Sequence, residues 1–147
     1  MICSELDDFC SATALNTGSA GTYLIGSQIG TGDPTLKDLG TADIYWVIQV
    51  STAVTTSGGT GTVKFTLASD STASVSTTTS TSHVSSPAFA EATLVEGYQW
   101  AVKLPSGSYE EFLGVLQTTA TAAVTAGAVN VFFAKEIPTT VIYPSIT

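Results

Sequence analysis

Arginine is absent from this chain, and its basic side chains are four lysines, Lys37, Lys64, Lys103 and Lys135, against twelve acidic residues. The formal net charge of -8 and pI near 4.1 set the protein against a phosphate backbone, so nucleic-acid binding is excluded from the expected functions. No stretch of 18 apolar residues occurs, which leaves no candidate membrane-spanning helix. The first residues lack a basic segment followed by an apolar run, so no secretory signal is expected, and synthesis in the cytoplasm is. There are only two cysteines, Cys3 and Cys10. On a helix over residues 2–11 they would stand about 10 Å apart along the axis, too far for a disulfide. With no partner His or Cys nearby they do not make a zinc site, and small buried side chains in a reducing compartment are expected.

What the chain does hold is apolar, small and β-branched. Hydrophobic residues make up 44% and charged residues 11%, and serine and threonine are used heavily, a composition suited to strands rather than helices. With 147 residues the length fits one domain and one core. The N-terminal "MICSELDDFCSATALN" sets Ile2, Leu6 and Phe9 on one face of a short predicted helix, with Ser4 as N-cap. "TYLIGSQIGTGDPTLKDLG" is broken by Gly26, Gly30, Gly32 and the Asp33-Pro34 pair, leaving room for one short strand and a loop. "DIYWVIQVST", residues 43–52, reads as a central strand, with Ile44, Trp46 and Ile48 on one face and Tyr45, Val47 and Val50 leaning to the other or buried on both. A Gly-Gly turn follows, then "TVKFTLAS" with Val63, Phe65 and Leu67 inward, and the pair predicts a β-hairpin. Further alternating runs are "YQWAVKLP", "EEFLGVLQTTA" and "GAVNVFFAKE".

The serine-threonine tract over 72–86 is the ambiguous part. It holds many β-branched threonines and no Pro or Gly before Pro87, and a linker there would leave two halves too small for good cores. An edge strand with flanking loops inside one domain is therefore predicted. The count becomes seven or eight strands, an all-β, single-domain, jelly-roll-like antiparallel sandwich over residues 17–136. Residues 1–16 are read as an N-terminal arm. Residues 137–147 are read as an extended tail, apolar but interrupted by Pro138 and Pro144, which packs on its own sandwich or docks on another chain.

Chemistry is thinly represented. His83 is the only histidine and has no Gly-x-Ser-x-Gly elbow to serve, so a solvent-facing strand histidine is expected. The pairs Asp7-Asp8 and Glu110-Glu111 are adjacent and would point to opposite faces of a strand, which rules them out as an acid-base pair. Asp33, Asp38 and Asp43 surround Gly32 and Gly40 without the EF-hand spacing. No phosphate loop and no Cys-x-x-Cys are present. The expectation is a protein that is not an enzyme and takes no cofactor or metal.

The order of segments resembles a known family. "DLG" before "YWVIQVSTAVT", then "VKFTLASDS", a serine-rich stretch with "SSP", "LPSGSYEEFLGVLQTT" and the closing "TAGAVNVFFAKE" look like the capsid-cementing, or decoration, proteins of tailed bacteriophages, in particular the jelly-roll cement family of short-tailed viruses. The resemblance covers roughly residues 2–136 and rests on order and spacing. Where that family usually has a basic, arginine-bearing turn after the "LP" element, this chain reads Tyr109-Glu110-Glu111-Phe112.

The resemblance implies a homotrimer on the outer surface of an icosahedral virion, binding the major capsid protein and stabilising contacts between its copies. Candidate contact residues are Ile2, Leu6 and Phe9 in the arm and Val141, Ile142 and Tyr143 in the tail, because both segments are apolar and lie outside the expected sandwich. Packing on their own domain is the equal alternative for each. The rival expectation from another class is a glycan- or receptor-binding β-sandwich presenting Tyr45, Trp46, Trp100 and Tyr109. A hydrolase dependent on His83 is the weaker rival.

Overall fold

The computed structural model describes residues 8–30, 44–105 and 109–134. Nine strands account for most of them: β1 (Asp8–Ala14), β2 (Gly21–Gly30), β3 (Tyr45–Thr56), β4 (Thr62–Asp70), β5 (Thr81–Ser85), β6 (Phe89–Ala90), β7 (Gln99–Lys103), β8 (Phe112–Ala120) and β9 (Val124–Ala134). They form two antiparallel sheets, a four-stranded one in the order β1-β9-β3-β7 and a five-stranded one in the order β2-β8-β4-β5, with β6 also paired to β4. The pairs β1·β9, β2·β8, β3·β7 and β4·β5 are nested about the serine-threonine tract. The chain is thus folded back on itself at that tract and rolled into two layers, the jelly-roll arrangement.

The inner faces follow from period-two alternation. Trp46, Ile48 and Val50 on β3 and Val129 and Val131 on β9 face Val63, Phe65 and Leu67 on β4 and Leu113 and Val115 on β8 in one core. Of the two places expected for Val50, it takes the inward one, on the Trp46 face; the cross-strand register Ile48↔Val131 and Val50↔Val129 puts all four side chains inward. One side of the sandwich is closed where β1 meets β2. There Gly26, at φ +70°, lies so close to the Phe9 carbonyl and the Cys10 sulfur that any Cβ would collide with both. The opposite side is closed by rings: Phe89 on β6 meets Tyr98 and Trp100 edge-on at 5.5 and 6.3 Å, and Trp100 meets Trp46 at 6.0 Å.

Three expectations are corrected. Residues 8–14 form strand rather than helix, so the described part of the expected arm is a sandwich strand; Phe9 is the extra residue of a bulge between Asp8 and Cys10, and both Phe9 and Cys10 are buried. The segment after it holds a ten-residue strand with a register shift between Ile25 and Ile29, not a short strand. Third, β3 and β4 are not a hairpin. They lie in different sheets, and the Ser57–Gly59 turn arches over the core edge, with Gly58 and Gly59 at φ +72° and +70°. An arch and a hairpin show the same alternation on their flanks; what separates them is the partner each strand finds. Here the Glu91 carboxylate accepts from the Thr56 amide and hydroxyl, and the Thr56 hydroxyl accepts from the Gly61 amide, fastening both feet of the arch.

The tract itself is an ordered part of the domain, as the edge-strand reading expected. Residues 81–85 are the edge strand β5, while 71–80 fold back over the outer face of the five-stranded sheet. Asp70 starts the fold: its carboxylate accepts from the Ser71 amide at 2.7 Å and the Ser76 amide at 2.9 Å. The Ser76 hydroxyl then accepts from the Thr78 and Thr79 amides. Val75, the single branched apolar side chain of this loop, is buried against Ala68, Leu116, Leu24 and Phe112, directly over Gly114.

Candidate functional site

Hydroxyl, imidazole and carboxylate groups converge at one end of the sandwich. On β4, Ser69 faces inward and is fully buried. His83 is the unpaired residue of a bulge in β5, between the Leu67↔Val84 and Ala68↔Ser82 pairs, and the bulge turns its ring inward. Its Nε2 lies 2.6 Å from the Ser69 hydroxyl, and its ring stacks on Tyr109 at 4.1 Å. Tyr109 is buried and donates its hydroxyl to the Pro105 carbonyl. Glu110 next to it accepts from the Thr81 hydroxyl at 2.8 Å.

Burial lowers the His83 pKa, against a smaller opposing pull from the Glu110 charge, so its surroundings disfavour the charged imidazolium. Burial pushes the Tyr109 phenol up. The expected solvent-facing His83 is thus corrected to a half-buried one, wedged between a serine and a tyrosine. A Ser-His pair can activate a nucleophile only where a substrate reaches the oxygen. With Ser69 fully buried, the arrangement fastens the edge strand and the Tyr109 segment to the end of the core.

The aromatic residues of the glycan-binding rival do not form a platform. Trp46 and Tyr109 are buried, Trp100 is half-buried against Trp46 and Phe89, and Tyr45 is half-buried on the outer face of the four-stranded sheet. Among the described residues the large hydrophobic side chain that is well exposed is Val95, at 51%. A single exposed valine is no apolar docking patch. No group of three or more metal-ligating side chains occurs among the described residues, and no helix there is long and apolar enough to cross a membrane. Asp33, Asp38 and Asp43 lie outside the described residues.

Of the six candidate contact residues, Ile2, Leu6, Val141, Ile142 and Tyr143 also lie outside them. Phe9 is 1% exposed and packs edge-on against Phe133 at 5.0 Å, so within this subunit it takes the equal alternative, packing on its own domain. Two features escaped the sequence reading. One is the seat of Val75 over Gly114, for which a lone valine in a polar tract was the available signal. The other is an apolar cluster on the outer face of the four-stranded sheet, Val47, Phe132 and Ala134. A model of the protein family described as Bbp16 matches residues 9–133. No curated protein matches the chain.

Proposed function

The chain belongs to the Bbp16 family, whose model spans both sheets from β1 to the penultimate residue of β9, and from that premise we propose that it is a structural virion protein of a tailed bacteriophage. In this reading it is a decoration, or cement, protein. It binds the outer surface of the icosahedral head as a homotrimer and holds copies of the major capsid protein together after synthesis in the host cytoplasm. The form of the family name, a numbered gene product, suits a phage protein.

The observation that carries the reading is where the resembling stretches fall. "YWVIQVSTAVT", "VKFTLASDS", "EEFLGVLQTT" and "TAGAVNVFFA" supply β3, β4, β8 and β9, the four inner strands of the two sheets. They define the frame of the jelly roll rather than a site upon it. A cement protein needs such a frame: a rigid body whose surfaces match a lattice, with three copies acting together to raise avidity. The Ser69–His83 pair, locked into packing, and the buried Trp46 and Tyr109 favour this reading over a hydrolase or a glycan binder. Light scattering of the purified protein tests the assembly: a mass of three times 15.1 kDa is expected, and a stable monomer at micromolar concentration argues against it.

A further inference from the structure

The edge strand β5 is held differently at its two ends. At Ser86, which follows it, the amide donates to the Phe65 carbonyl at 2.8 Å and the hydroxyl accepts from the Phe65 amide at 3.0 Å, and both residues are buried. Val84 faces inward opposite Leu67 and packs on the core. On the other side of the bulge at His83, the strand pairs with β4 through Ser82 and Thr81, whose side chains are exposed. This half is fastened by side chains. The His83 Nε2 meets the buried Ser69 hydroxyl at 2.6 Å, the ring stacks on Tyr109 at 4.1 Å with the planes 26° apart, and the Thr81 hydroxyl donates to Glu110. His83 thus sits at the joint between an anchored half and a half that its own ring fastens.

A proton on that ring changes the balance. Two neighbours favour the charged form, the Glu110 carboxylate and the face of Tyr109. Two features oppose it. A charged imidazole donates from both nitrogens, so the Ser69 hydroxyl must accept and turn its own proton elsewhere within a buried site. Partial burial also withholds water from the charge, and it outweighs the pull of Glu110. Asp70, next to Ser69 on β4, is committed to the Ser71 and Ser76 amides, and the Tyr109 phenol, pushed up by burial, stays uncharged. Since β5 is the last strand of its sheet, its loosely held half can leave without breaking a second ladder, and this hydrates the ring.

We propose that His83 is an acid-operated latch: when its ring gains a proton, residues 81–83 lift from Ser69 and from the Tyr109-Glu110 segment, while residues 84–86 and the inner strands of both sheets stay in place. The lifted ring has the ordinary histidine value near 6.5 and the seated ring a lower one, so the lifted form takes the proton more readily. Its population rises as pH falls through about 6.5 and levels off below the seated value. The latch belongs to the single subunit and stands apart from the cement reading.

Amide exchange of the 15N-labelled full chain tests it between pH 7.5 and 5, above the ordinary carboxylate values, with each rate divided by the intrinsic rate at that pH. Protection at residues 81–83 is expected to fall at least about threefold over this range, while β3, β8 and β9 keep theirs. In His83→Gln, whose side chain can still bond to Ser69 but takes up no proton, the fall is absent. In Glu110→Gln, which removes a charge favouring the seated imidazolium, the fall is larger. Protection at 81–83 that does not change with pH overturns the proposal. So does a fall shared equally by β3 and β9, which marks opening of the whole domain, or one that persists undiminished in H83Q. If H83Q already leaves 81–83 unprotected at pH 7.5, E110Q decides, and a fall no larger than the parent's overturns the latch.

Discussion

The side-chain amide of Gln117 is bonded to both backbone groups of Asn16: the Asn16 amide donates to Oε1 at 2.8 Å, and Nε2 donates to the Asn16 carbonyl at 3.0 Å. Nε2 also donates to the Thr119 hydroxyl at 2.8 Å. Gln117 sits on β8 and Asn16 in the link between β1 and β2, so a fully buried glutamine stands in for a strand neighbour and ties the crossing between the sheets to the core. Removing it leaves the half-buried backbone groups of Asn16 without this partner. Gln117→Leu is expected to lower unfolding free energy by about 2–3 kcal/mol by urea titration. A loss below about 0.5 kcal/mol contradicts this account of the crossing.

The loop over the five-stranded sheet depends on the missing side chain at position 114. A Cβ there would lie 3.0 Å from Val75 Cγ2 and 3.1 Å from Leu24 Cδ1. Gly114→Val is expected to unseat Val75 and speed amide exchange across residues 71–80, while the inner strands β3 and β9 keep their protection. Uniform acceleration across the whole chain would show instead that the loop and core open together.

Thr121, in the turn between β8 and β9, holds φ +72°, where a β-branched residue is strained. It is exposed, so its side chain offers little packing to offset the strain. Thr121→Gly is expected to raise stability by up to about 1 kcal/mol despite the added freedom of the unfolded chain, and Thr121→Pro to lower it. Thermal denaturation distinguishes the two.

Acid weakens the fold through two groups, His83 and Asp70. The folded state lowers the His83 pKa through burial, so the unfolded chain takes up the proton first as pH falls through about 6.5. The stabilisation is complete above that value and is lost as pH falls through the lowered folded pKa. Asp70 behaves likewise from 3.8 downward, because the Ser76 amide, with those of Ser71 and Thr72, favours its charged form. Urea midpoints measured from pH 7.5 to 5 should fall in the parent and fall less in His83→Gln. Equal slopes in the two proteins would remove His83 as the cause.

Much of this architecture is readable from residue order, for identifiable reasons. Strands with one apolar face, such as Val63-Phe65-Leu67 or Leu113-Val115, declare themselves because alternation is a local property. Partner choice is not local. The arch between β3 and β4 reads as a hairpin because nothing near Gly58 and Gly59 reveals that β3 pairs with residues 99–103 and 124–134. The first strand was hidden because Ile2, Leu6 and Phe9 carry helical spacing, while the bulge at Phe9 disrupts the alternation that would mark a strand. His83 looked solvent-facing for the same reason, since a bulge changes the side to which a residue points. The candidate contacts in the two terminal segments rested on apolar residues outside the expected sandwich, and Phe9 shows how a sandwich strand can extend into such a segment.

The proposed attachment to a capsid is measured most directly by co-sedimentation with undecorated phage heads, titrated to saturation. The cement reading predicts saturable binding at a whole number of trimers per repeating position of the lattice, with heads that withstand higher temperature once decorated. Protein that stays in the supernatant at every ratio, with heads no more stable in its presence, would contradict it.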